Sequence, residues 1–272
     1  MLSGKKLGIL GVGKIGEALA TGLIRKGEVR AEDIMGSVRR EESLRRLDRL
    51  GMAVTTDSAA VVARSDIVLV ATKPQAVEGL LAVIDPAVKP GQIFISVAAS
   101  VPTAFIEARI GHPVPVVRAM PNTPCMLGAG MTVLAAGKHA GEKELHLARS
   151  IFEAVGRTAI LEERLMDGVT GLSGSGPAYI YVVIEALSEA GVKLGIPRET
   201  ALLLASQTVF GAAKMVLDLG EHPALLKDVV TTPAGCTIDG LLELEEGKLR
   251  VTLVKAVVKA AERARELVRD SR

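Results

Sequence analysis

The stretch Leu7-Gly8-Ile9-Leu10-Gly11-Val12-Gly13-Lys14-Ile15-Gly16 decides the fold of this 272-residue chain. Leu7 to Leu10 is an apolar run of strand length, and Ile15 to Lys26 has helical spacing that stops at Gly27. Between them stand three glycines in the order G-x-G-x-x-G, each with its own task. Gly11 permits a tight turn, Gly13 lets the backbone approach a pyrophosphate, and Gly16 lets the helix pack closely on the strand. A strand, this loop and a helix in that order predict a dinucleotide site, with the phosphates at the helix N-terminus.

Outward from this unit, short apolar runs alternate with helical patterns as far as about residue 160. Asp33 to Ser37 reads as a second strand, and Glu41 to Leu50 as a helix closed by Gly51. Ile67 to Ala71 and Ile93 to Val97 are continuous apolar runs, the pattern of parallel strands covered by helices on both faces. Further strands are expected at Val114–Arg118, Met131–Ala135 and Thr158–Ile160. After residue 161 the alternation stops. Pro177 to Leu194, Arg198 to Leu219 and Leu249 to Asp270 all read as helices. The expected fold class is α/β: an N-terminal, doubly wound Rossmann-type sheet over residues 1–160, then an all-helical C-terminal domain over 161–272.

Hydrophobic residues make up 49 % of the chain but aromatics only 2 %, so the core is built from Ala, Val, Leu and Ile. The long Ala/Leu helices imply apolar surface that a second subunit covers. A net charge of +2 speaks against nucleic acid as a partner. Cys125 and Cys236 fit no paired motif, which points to a reducing compartment. The N-terminus shows no signal-peptide pattern, and the richest apolar stretch, Ala201 to Leu219, is broken by Gln207, Lys214 and Asp218. A cytoplasmic protein with no membrane partner is expected. His112, His139, His146 and His222 lack ligand spacing, so no metal is expected; His222, before Pro223, reads as a helix cap.

An NAD site of this kind places a carboxylate about 20 residues past the last glycine. Here the chain has Ser37-Val38-Arg39-Arg40 instead, and a guanidinium suits the 2′-phosphate of NADPH. NADPH is therefore the expected cofactor, with NADH accepted less well. The competing view is that Arg39 and Arg40 only begin a solvated helix. Three loops at successive strand ends complete the set: Ala71-Thr72-Lys73-Pro74-Gln75, Ser96 to Ser100, and Arg118 to Pro124. Lys73 is placed to face phosphate or ribose. The small residues after Ser96 make room for a flat ring, and Asn122 can bond a carboxamide.

Leu172-Ser173-Gly174-Ser175-Gly176-Pro177 and Thr232-Pro233-Ala234-Gly235-Cys236-Thr237 each precede a helical pattern. Both are expected to offer N–H groups at a helix N-terminus to a small anion. Ser175 can reach a carboxylate, although glycine-mediated packing explains its segment at least as well. Cys236 reads as a backbone donor, since no base stands near it in sequence.

GVGKIG, ATKPQ, RAMPNTP, VTGLSGSGPAY and TTPAGCTIDGL, in this order and spacing, resemble pyrroline-5-carboxylate reductase over essentially the whole chain. The resemblance implies hydride transfer from NADPH to the cyclic imine L-1-pyrroline-5-carboxylate, giving L-proline in the last step of proline biosynthesis. It implies a homodimer through interlocking C-terminal helices, and often decamers. It places Leu10, Gly11, Val12, Gly13, Lys14, Ile15, Ser37, Arg39, Ala71, Thr72, Lys73, Pro74, Val97, Ala98 and Ala99 around the dinucleotide. Glu163, Thr232, Gly235, Cys236 and Thr237 then surround the substrate, with the Thr237 hydroxyl at the ring nitrogen as the catalytic contact. The chain departs from the family pattern at Ser100 (usually Gly), at Ala234-Gly235 (often Gly-Gly) and at Ser58 (often an Asn touching the ribose). Val229 likewise replaces an Asn of some members. Two other readings compete: a hydroxyacid dehydrogenase using Lys193 or Lys214, and a non-catalytic NADPH sensor.

Overall fold

The computed structural model describes residues 2 and 4–269. The chain forms two compact units, one running to Ser175 and taking in the segment from Lys259 onward, the other Gly176–Val258.

The first unit is an eight-stranded sheet in the order β3-β2-β1-β4-β5-β6-β7-β8. Its strands are Leu7–Leu10 (β1), Ile34–Ser37 (β2), Ala53–Thr55 (β3), Ile67–Val70 (β4), Ile93–Ser96 (β5), Val116–Met120 (β6), Gly130–Ala136 (β7) and Gly156–Ile160 (β8). Neighbours from β3 to β6 pair in parallel, β7 runs antiparallel to β6, and β8 is parallel to β7. The first six strands have the doubly wound order whose chain reversal, between β1 and β4, opens a ligand crevice.

Period-two alternation explains why these runs are apolar throughout. Ile9, Ile67, Leu69, Ile95 and Val117 face one core, under Lys14–Arg25 (α1) and Glu142–Phe152 (α6). Leu10, Val68, Val70, Phe94 and Val116 face the other, under Ser58–Arg64 (α3), Val77–Ile84 (α4) and Thr103–Glu107 (α5). The helix expected over residues 41–50 is Glu42–Leu47 (α2) followed by a 3-10 turn, and Gly51 closes it at φ +67°. Strand β3 carries too short a pattern to stand out in the sequence. Strand β6 extends to Met120, so Arg118 belongs to the strand and not to the loop after it.

A larger difference lies at residues 166–176. Met166–Val169 (α7) passes into a π-helical turn, Thr170–Gly174, and then into Gly176–Lys193 (α8). The Ser175 N–H donates to the Thr170 carbonyl at 2.9 Å. The segment 172–177 is thus nearly continuous helix, not a loop presenting free amides. Pro177 misled the sequence reading: it has no N–H, and the wide turn before it accommodates that loss.

The second unit holds α8, Arg198–Leu219 (α9), Pro223–Val229 (α10), Cys236–Glu246 (α11) and the first turns of Leu249–Arg269 (α12). Gly191 lets α8 approach the start of α9, because a Cβ there would stand 3.0 Å from that of Ala201. Few of its residues are buried in the single chain. Leu203 and Phe210 on α9 are 66 % and 61 % exposed. By length and composition α9 is apolar enough to cross a membrane, despite the polar residues that interrupt it.

Candidate active site

The glycine turn has the geometry its sequence demands. Gly11 adopts φ +91°, and a Cβ there would meet Thr72 Cγ2 at 2.7 Å and the Ala71 backbone at 3.1 Å. Gly16 packs against Ile9 and the Gly11 carbonyl, where an added Cβ would sit 3.0 and 3.1 Å away. A Cβ on Gly13 would meet nothing within 4 Å, so that face is open. The N–H groups of Gly11 and Val12 both donate to the Ser37 carbonyl, tying the turn to β2. Gly13 caps α1 with no side-chain bond. The first-turn amides of Lys14, Ile15 and Gly16 are thus placed for a phosphate.

A groove of about 420 Å³ opens beside this turn, lined by Gly11, Ser37, Arg39, Ser58 and Thr72 among others. Ser37 Oγ lies 2.9 Å from Ser58 Oγ, and Asp57 caps α3 by accepting the Ala60 N–H at 3.0 Å. Thr72 Oγ1 is buried without a hydrogen-bond partner among the described residues. A buried orphan hydroxyl and a guanidinium at one groove, beside the turn that holds the open Gly13 face, suit a phosphorylated, polyhydroxyl ligand. The residues therefore fit a dinucleotide carrying a 2′-phosphate.

Several expected cofactor residues stand elsewhere. Arg40 and Lys73 are exposed and Pro74 is half-buried, and all three lie outside the groove lining. Lys14 lines a different cavity, of about 570 Å³, along the outer face of α1. Leu10 and Ala98 are buried in the core, so their side chains cannot contact a ligand, whereas Ile15, Ala71, Val97 and Ala99 are half-buried. Asn122 is anchored at both ends: its amide donates to the Ser173 carbonyl at 3.0 Å and its oxygen accepts the Met131 N–H at 2.9 Å. It thus ties the loop after β6 to the π turn, and its second N–H and second lone pair are left for a ligand.

Glu163 is similarly committed. Its carboxylate accepts from the Thr103 N–H at 2.8 Å and the Thr103 hydroxyl at 2.6 Å, fixing the start of α5. It also lies 3.5 Å from Arg118, whose side chain is only 5 % exposed. Asp167 stands 3.7 Å from the same guanidinium and 3.8 Å from Arg265. Nothing in the local sequence names Glu163 or Asp167 as the partners of Arg118. The one available signal was an arginine inside the apolar run Val116-Val117-Arg118-Ala119-Met120, which demands a buried counter-charge. Ser175 is half-buried at the end of the π turn, in the same unit.

In the second unit, Thr232 to Thr237 form the expected helix start. Gly235 is the N-cap of α11 at ψ 161°, with no side-chain cap. Its N–H donates to the Thr232 carbonyl at 3.0 Å, and a Cβ there would collide with the Thr232 hydroxyl. The amides of Cys236, Thr237 and Ile238 form the first turn. Cys236 is exposed, Thr237 is half-buried, and the Thr237 hydroxyl makes no hydrogen bond to the described residues. His222 caps α10, its Nδ1 accepting the Ala224 N–H at 3.2 Å. Cys125, in contrast to Cys236, is buried, and that burial raises its thiol pKa. Among the described residues no cluster of three or more His, Cys, Asp or Glu has metal-binding proximity.

Residues 163–267 match the family model for pyrroline-5-carboxylate reductase dimerisation, and residues 6–100 match that for NADP oxidoreductases, coenzyme F420-dependent. Pyrroline-5-carboxylate reductase of Methanosarcina acetivorans is 44 % identical over 98 % of this chain and 99 % of its own. The Arabidopsis thaliana enzyme of that name is 43 % identical, over 96 % of this chain and 95 % of its own. The chain belongs to the pyrroline-5-carboxylate reductase family. The solved reductase from Coxiella burnetii superposes with a TM-score of 0.91 at 35 % identity, covering 97 % of this chain and 98 % of that one. The reductase of Plasmodium falciparum, solved with NADP bound, gives 0.88 at 29 % identity, covering 98 % of this chain and all (100 %) of that one. As a member of this reductase family the chain is an NADP-dependent oxidoreductase, and the 163–267 segment is its oligomer-forming part.

Two departures from the reductase pattern now have a physical meaning. Ser100 and Ala234 adopt φ +60° and +56°, the left-handed region where glycine alone is unstrained. The family's glycines suit these backbones, and this chain holds both turns without them.

Proposed function

We propose that this protein reduces L-1-pyrroline-5-carboxylate to L-proline with NADPH, and that Thr237 is its catalytic contact with the substrate. Full-length identity to named reductases carries the reaction, and the free Thr237 hydroxyl at the uncapped start of α11 carries the site. NADPH, when bound, supplies the hydride to C5 of the imine. The chain's own task is to bind and orient. The α1 first turn takes the pyrophosphate, the groove at Ser37, Arg39, Ser58 and Thr72 takes the phosphorylated ribose, and Val97 and Ala99 flank the nicotinamide. The amides of Cys236, Thr237 and Ile238 hold the substrate carboxylate, aided by the positive end of the helix dipole. Thr237 Oγ1 accepts from the protonated ring nitrogen and keeps the proton where it makes C5 electrophilic. Orientation of this kind supplies about 7–11 kcal/mol in favourable cases. Within the first unit Glu163 holds Thr103 and Asn122 holds the Ser173 carbonyl.

The protein is proposed to act as a cytoplasmic homodimer, its exposed α8 and α9 faces covering those of a second copy. Dimers of this kind can assemble further into decamers. The division of labour puts the dinucleotide on residues 1–160 and the substrate and dimer contacts on 161–272. Loss of NADPH absorbance on addition of the cyclic imine tests the reaction, and no loss at any imine concentration refutes it. Arg39→Gln separates the cofactors: KM for NADPH is expected to rise about tenfold while KM for NADH holds, since charge-assisted phosphate bonds contribute about 1.5–3 kcal/mol. An equal change for both cofactors would assign the 2′-phosphate to another residue.

A further inference from the structure

The loop after β5 is fixed at two points by groups far away in sequence. Ser100 is 8 % exposed, and its hydroxyl donates to the Ala264 carbonyl at 3.1 Å, near the end of α12. Ala264 is itself 4 % exposed, and the next residue, Arg265, lies 3.8 Å from Asp167. Three residues past Ser100, both donors of Thr103 are held by Glu163. Glu163 and Asp167 share the buried guanidinium of Arg118. The contacts close a ring: loop 97–103, Glu163, Arg118, Asp167, the end of α12, and back to Ser100. All its members belong to the first compact unit.

A serine at φ +60° is strained, and a glycine there would remove the strain but also the bond to α12. We propose that Ser100 is a positioning residue that pins the loop carrying Val97 and Ala99 to the last turns of α12, and so sets the seat of the nicotinamide ring. The inference rests on the assignment of that loop to the nicotinamide end of NADPH. The hydroxyl touches no reacting atom; it acts through the backbone of 97–99.

Ser100→Gly deletes the hydroxyl while suiting the backbone. Relief of φ strain opposes the loss of the hydrogen bond and the greater freedom of the unfolded chain, so Tm is expected to move little. The test compares two ligands by titration of the full-length protein: NADPH, and 2′-phospho-ADP-ribose, which lacks the nicotinamide. Ser100→Gly is expected to weaken NADPH about three- to tenfold, the worth of one hydrogen bond, and to leave the truncated ligand unchanged. The isotope effect with 4-deuterated NADPH should rise as hydride transfer becomes slower. Arg265→Gln, which loosens the same ring from its other side, should act in the same direction by a smaller factor. Equal weakening of both ligands, or of neither, overturns the proposal. Failure of the unaltered protein to bind NADPH would instead remove the cofactor assignment, and this inference with it.

Discussion

Thr237→Ala is expected to lower kcat for imine reduction about 10- to 100-fold with the dissociation constant of NADPH unchanged. A hydrogen bond to a charged group is worth about 1.5–3 kcal/mol, and each 1.4 kcal/mol is a factor of ten. The effect falls on kcat because the bond holds the nitrogen while charge redistributes between it and C5. Folding should be unaffected, because the hydroxyl bonds nothing in the described chain and the α11 N-cap does not depend on it. Thr237→Ser, which keeps the oxygen, should retain most of the turnover. Steady-state kinetics with NADPH titrated separately decide the matter. Full activity in the alanine variant would take Thr237 out of the mechanism.

Arg118→Met is expected to reduce stability by about 3 kcal/mol, with a Tm lower by about 6–12 °C. The figure comes from what the substitution leaves behind. Glu163 and Asp167 would remain beside a core strand, 26 % and 18 % exposed, without the guanidinium between them. The loss falls at the low end of the usual range because the two contacts, at 3.5 and 3.7 Å, are long for ion pairs. Adding Glu163→Gln and Asp167→Asn to Arg118→Met should recover part of the loss, because the stranded charges go with it. Thermal unfolding of the single and triple variants tests this, and a single variant as stable as the parent would show that the cluster carries no net energy.

These two residues differ in how visible they are before folding. Thr237 stands in a short segment whose small residues, glycine cap and following helix lie within six positions of one another. Such a site is written locally. Arg118 meets Glu163 and Asp167 only because β6 runs beside the turn that leads into α7. A lone arginine in an apolar run announces that a partner exists without naming it. The π turn at Thr170–Gly174 shows the opposite failure: glycine, serine and proline suggest a helix start with free amides, yet hydrogen bonds of a wider spacing keep the helix nearly continuous.

The glycine turn, the parallel strands buried on both faces, the shift to helices after residue 161 and the family are all legible in the amino-acid order. All of these rest on spacings of a few residues, which fix φ, hydrogen-bond register and the buried face. The folded chain alone reveals that Asn122 bonds Ser173, that Glu163 bonds Thr103, that Arg118 lies between two carboxylates, and that Ser100 reaches Ala264. Those facts depend on chain segments dozens to more than a hundred positions apart, and no local spacing encodes which distant group closes a buried hydrogen bond.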